Sequence, residues 1–271
     1  MKARFYTTLL VCIFAFSSIF SQHNPEQAGF GEFQPGQQVY VFGNEVQLRT
    51  APDTSSDVLQ KLKIGEWVKI IEITPYSWPY NGFESPFYKV KYNEMTGYIL
   101  GGLLSIQRKT LKGTHYYFAL SKQGNSIFLN IRHVQDGTYW EKKTRLVHTD
   151  FKITVLGDKG VPNLDGILFV DYLSNTEDRE NGGIYLFPHN HILTEVVQLS
   201  QVSDTGNSYY SENLIFPDDQ GGIPDKIFYK KEQGKNLDAS SNWIQTAVET
   251  RELSWVDGKL IPNYNEKVPN P

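Results

Sequence analysis

Tyr76, Trp78, Tyr80 and Phe83 place four aromatic rings in eight residues, within the stretch Tyr76-Ser77-Trp78-Pro79-Tyr80-Asn81-Gly82-Phe83. Rings at that density suit non-covalent binding, because rigid aromatics supply contact area at small entropic cost. Pro75 and Pro79 stiffen the stretch further. The four are therefore candidate ligand-binding residues, and the competing reading is that they fold back as packing. A second candidate is the acidic loop Phe216-Pro217-Asp218-Asp219-Gln220-Gly221-Gly222-Ile223-Pro224-Asp225. Calcium needs six to eight oxygen ligands. Asp219 and Asp225 are weak candidate ligands, too few for such a shell, so the loop reads as a turn and no metal is expected. A third is His189-Asn190-His191, two imidazoles on one side of a strand. Zinc takes three or four protein ligands, and no third stands at a motif spacing. It reads as a polar turn after Phe187-Pro188.

Catalytic chemistry finds little support. Cys12 is the single cysteine and lies near the N-terminus. No nucleophile elbow, zinc-protease helix, phosphate loop or Cys–His pair is present. A hydrolase built on two carboxylates leaves no short signature and stays as a third reading. The expectation is a protein that is not an enzyme and carries no cofactor.

The first 21 residues differ from the rest. Lys2 and Arg4 precede the apolar run Leu9–Phe16, and small residues end at Ser21 before Gln22. This is the pattern of a secretory signal peptide, and the run is short for a span of about 30 Å. We expect export to the periplasm or the extracellular space, with no membrane insertion after cleavage. Cleavage would remove Cys12, and with it any disulfide or thiolate chemistry. It would also take Lys2 and Arg4 from the 26 cationic side chains and none of the 30 acidic ones, moving the net charge from −4 to −6. Nucleic acid binding needs a basic footprint, and none is present.

Aromatic content of 14%, recurrent Gly and Pro, and short alternating runs indicate an all-β chain. Residues 22–36 read as a linker and 107–113 (QRKTLKG) as a connection. Five or six short strands between Val39 and Ile106 suit a small barrel. About ten more runs between 114 and 262 suit an antiparallel domain, sandwich-like or partial propeller-like. Asp257-Gly258 signals a tight hairpin. The end, 263–271, reads as a frayed tail.

Val46-Gln47-Leu48-Arg49-Thr50-Ala51-Pro52 resembles the opening of bacterial SH3 domains. Leu62–Val68, Phe87-Tyr88-Lys89-Val90-Lys91-Tyr92 and Thr96-Gly97-Tyr98-Ile99 resemble the later strands of the same family, in the right order. Phe87 stands where the family usually has Trp, and Thr74–Pro86 is longer than the usual connection. The resemblance implies an SH3-like barrel over 37–107 that binds cell-wall peptide or a protein segment. The acidic loop at 216–225 resembles, in degenerate form, the calcium loops of FG-GAP and thrombospondin-type repeats: on that resemblance Asp219 and Asp225 keep ligand positions, while Pro217 and Gly221 replace two ligand aspartates. Two functional readings follow: a binding module, or a structural component of an envelope assembly that partners another envelope protein.

Overall fold

The computed structural model describes residues 32–173, 180–204, 208–238 and 241–264. The expected signal peptide, residues 22–31 of the expected linker and 265–271 of the tail lie outside the described residues.

β1 (Gln38–Val41), β2 (Val46–Arg49), β3 (Val58–Leu62), β4 (Trp67–Tyr80), β5 (Phe83–Tyr92), β6 (Met95–Leu100) and β7 (Leu104–Ser105) form one antiparallel sheet. A 3-10 turn at Gly101–Leu103 precedes β7, and the strand order is β3-β2-β6-β5-β4-β1-β7. Alternation drives its closure. Val46 and Leu48 of β2, Val68 and Ile70 of β4, and Val90 of β5 point into one core with Ile99 and Leu104. Gly97 in β6 has a steric reason: a methyl there would stand 2.7 Å from the Arg49 carbonyl oxygen. Phe33 is buried in this same core, with its ring 5.4 Å from that of Tyr88. Part of the segment read as a linker is thus packed.

The Thr74–Pro86 stretch, expected as an inserted loop, is the outer part of a long β4–β5 hairpin. Its two-residue turn is Asn81-Gly82, both at positive φ, the strongest short hairpin signal. The prolines are tolerated because, among the described residues, β1 pairs only with the start of β4, at Trp67–Lys69, and no strand covers the far edge. Pro75 falls where the register slips between Ile73 and Ser77.

β8 (Gln107–Leu111), β9 (Thr114–Gln123), β10 (Ser126–Gln135) and β11 (Thr138–Leu146) form a four-stranded meander. The stretch read as a connection is therefore strand β8. β12 (Phe151–Leu156), β13 (Ile167–Tyr172), β14 (Asn181–His189), β15 (Ile192–Asp204), β16 (Ser208–Ile215), β17 (Ile227–Asp238), β18 (Ser241–Val256) and β19 (Lys259–Ile261) form an eight-stranded antiparallel sheet in chain order. Phe118, Leu120, Leu129 and Ile131 of the meander pack on Leu168, Val170, Ile184 and Leu186 of this sheet. That is the expected sandwich. A further core joins Phe187, Val197, Leu199, Phe216, Ile227 and Leu253. Among the described residues no helix is long and apolar enough to cross a membrane.

β9 is buried continuously from Tyr116 to Ser121. Its even-numbered side chains enter the sandwich, and its odd-numbered Tyr117 and Ala119 pack on Phe42 with Tyr40 and Ile64 of the barrel. Arg108 lies 4.2 Å above the Tyr40 ring and Arg132 lies 4.3 Å above the Phe42 ring, where the Arg132 guanidinium also donates to the Phe42 carbonyl at 3.1 Å. The hairpin tip is fixed to the same strand. The Lys122 N–H donates to the Asn81 carbonyl at 2.8 Å, and a methyl at Gly82 would collide with the Lys122 carbonyl oxygen.

Candidate functional site

A groove of about 280 Å³ opens on the barrel between the start of β2 and the outer hairpin. One wall carries Gln47, Arg49 and Thr54; the other carries Trp78, Pro79 and Tyr80. Phe87 and Leu100 contribute apolar floor. The period-two alternation of β4 sets Trp78 and Tyr80 on one face, two residues apart.

The polar wall is held by the loop that follows β2. The Arg49 guanidinium donates to the Ser56 carbonyl at 2.5 Å and to the Gln47 side-chain oxygen. The Ser56 hydroxyl donates to the Ala51 and Asp53 carbonyls, at 3.0 and 2.8 Å. Asp53 accepts from the N–H and hydroxyl of Ser55, at 2.8 and 2.9 Å, and these bonds hold its carboxyl below the ordinary range. A loop that satisfies its own polar groups presents a fixed wall to a ligand, so little ordering entropy is lost on binding.

The four aromatics take different places. Trp78 is 51% exposed and Tyr80 half-buried, and both line the groove. Burial raises the Tyr80 phenol above its ordinary value, with the nearby Arg132 working against it. Tyr76 is 60% exposed beside the register slip and lies outside the groove. Phe83, across the turn from Tyr80, packs on the sandwich core. Arg49, Gln47 and Thr54 are groove residues that the aromatic pattern could not reveal; the strand-opening motif around Arg49 was the signal for them.

The other candidates separate as well. Asp219 is committed to the turn: Lys159 Nζ lies 2.5 Å from one oxygen, and the Phe216 N–H donates to the other at 2.9 Å. An ammonium thus occupies a place a cation would need. Asp225 stands at positive φ in the Ile223–Lys226 turn. His189 and His191 flank the β14–β15 turn and diverge, His189 toward Trp255 at 6.0 Å and His191 toward Trp140 at 6.3 Å. Among the described residues no three His, Cys, Asp or Glu side chains converge as metal ligands.

The barrel's strand order, its glycine at the β6 entry and the groove beside its first loop coincide with a family match. Residues 44–105 match the family model of the bacterial SH3 domain. This segment is a bacterial SH3 domain. Every groove residue named above lies inside the matched bacterial SH3 segment, including the hairpin that lengthens it. Bacterial SH3 domains are binding modules, often for cell-wall components. No curated protein and no solved structure matches the chain.

Proposed function

We propose that the protein is an exported, non-catalytic binding module of the periplasm or cell exterior, whose bacterial SH3 domain takes an extended cell-wall peptide or protein segment in the Arg49–Trp78 groove. The observation that carries this reading is the groove itself. A flat indole and a half-buried phenol face a polar wall whose hydrogen bonds are already made. Extended peptides suit such a cleft, setting apolar side chains on the rings and main-chain groups toward the polar rim. The barrel and the strands from β8 onward act as two units, the second serving as the base on which the first is mounted. Co-sedimentation with purified peptidoglycan tests the reading. The chain is expected in the pellet, and Trp78→Ala is expected to return it to the supernatant. N-terminal sequencing of protein recovered from its host is expected to begin near Gln22; intact Met1 on cytoplasmic protein would remove export from the proposal.

The seam along β9 favours a second reading, in which the barrel is a rigid spacer in an envelope assembly. That reading expects no sedimentation with the wall and capture instead by a protein partner of the envelope.

A further inference from the structure

Strand β18 runs from Ser241 to Val256, yet β19 pairs only with Ser254, Trp255 and Val256. β17 covers the other side, and among the described residues no strand pairs with the outer edge of β18 from 241 to 250; at Arg251 the guanidinium donates to the Tyr264 carbonyl at 2.7 Å. Such an edge offers a row of unpaired N–H and C=O groups. Another long edge strand, β11, carries Glu141, Lys142, Lys143 and Arg145, and it meets β15 through Thr144 and Lys142 on Glu195. Charge and cover protect it. Neither protects the outer part of β18: residues 241–248 contain no charge and no proline. Ile244 is 58% exposed and Val248 56% exposed.

The spacing of those two residues identifies the occupant. Ile244 and Val248 lie two positions either side of Thr246 and on one face of the strand. A second β18 laid antiparallel with Thr246 on the two-fold axis sets Ile244 against Val248 of the other copy, and Val248 against its Ile244. Thr246 meets Thr246, and Gln245 meets Ala247. β-Branched and Thr–Thr cross-strand pairs are favourable. Glu249 falls opposite position 243 and Thr250 opposite 242, so no like charges oppose one another. An unrelated peptide would match this pattern by chance, whereas the chain matches itself by symmetry, as an isologous interface requires.

We propose that the β18 edge is a homodimer interface, two copies pairing antiparallel about Thr246 to continue the eight-stranded sheet across the two-fold axis.

Sedimentation velocity on the chain from Gln22 onward is expected to show a dimer that dissociates on dilution. Val248→Lys should raise the dissociation constant by about tenfold or more, with an unchanged monomer fold by circular dichroism because Val248 is exposed. The register is read separately by cysteine coupling, since this length of chain contains no other cysteine. Directly opposed residues bring Cα atoms to about 5 Å, within disulfide reach. Thr246→Cys should therefore oxidise to a linked dimer. Ile244→Cys should not, its counterparts lying about 13 Å apart along the strands. A chain that stays monomeric at every concentration would overturn the proposal, whether the edge is open or filled by the chain's own last residues. A dimer indifferent to Val248→Lys, or equal coupling at 244 and 246, would overturn it too.

Discussion

Trp78 and Phe83 stand five residues apart and have opposite fates, which makes them a paired test. Trp78→Ala should abolish binding to cell-wall peptide and leave the melting temperature nearly unchanged, since half of the indole already meets water. Phe83→Ala should cost about 2 kcal/mol of stability, less than a fully buried phenylalanine, because it empties a place against the sandwich core. Thermal melting alongside peptidoglycan sedimentation reads both. Loss of stability without loss of binding at Trp78 would make the hairpin a packing device. Composition revealed that these rings must be covered or used, but not which: the division depends on the turn at Asn81-Gly82 and the docking of its tip, both set by strands distant in sequence. Asp219 shows the same dependence. Partial burial pushes its carboxyl up, and the Lys159 hydrogen bond, the Phe216 N–H and the Lys159 charge together hold it below the usual range. Lys159 is sixty residues away, so the sequence shows an acidic loop and conceals its cation. Melting with calcium and with a chelator should agree, because Lys159 already neutralises the site; a marked rise with calcium would refute this assignment.

His133 on β10 links the meander to the β14–β15 turn. It is 3% exposed, its ring lies between those of Tyr116 and Trp140, and its Nε2 has no hydrogen-bond partner among the described residues. Burial lowers its proton affinity; the His191 backbone opposes this and the His191 charge adds to it. The unfolded chain takes up a proton near 6.5, the ordinary value, while the folded chain resists until lower pH. Stability from this group is complete above 6.5 and is lost as pH falls from there toward the folded value. Urea unfolding at pH 7.5 and 5.5 should show that loss, and His133→Phe should reduce it; an equal slope in the variant would place the proton elsewhere. Legibility at this scale follows burial. Val46–Arg49 and the Asp257-Gly258 hairpin are readable because one face is apolar or the turn residues are diagnostic. β11 is hard to read, since Glu141-Lys142-Lys143 on an edge strand lacks an apolar period. β9 reads as a plain apolar run because both of its faces are covered.

For the molecule as a whole, residues 32–107 expressed alone should fold cooperatively, since the barrel core is drawn from within them and Phe33 completes it. The fragment should melt below the full chain, because Tyr40, Phe42 and Ile64 lose Tyr117 and Ala119. Calorimetry on both forms measures this, and an unfolded fragment would mean that barrel and sandwich form one cooperative unit. The sequence conveyed the two β regions but placed a connection at 107–113, where the polar run Gln107-Arg108-Lys109-Thr110 forms an edge strand. Nothing local marks that Lys122 will hold the hairpin tip. That attachment has a mechanical consequence. A ligand anchored to a wall and drawn away from the groove pulls on Trp78 and Tyr80, three and one residues from the Asn81–Lys122 bond. The load enters β9 at its far end through that bond, as well as along the covalent chain through β7 and β8. Two routes in parallel converge on the strand gripped on both faces, so the tension is taken up as shear across two cores, and the barrel and its base bear it together.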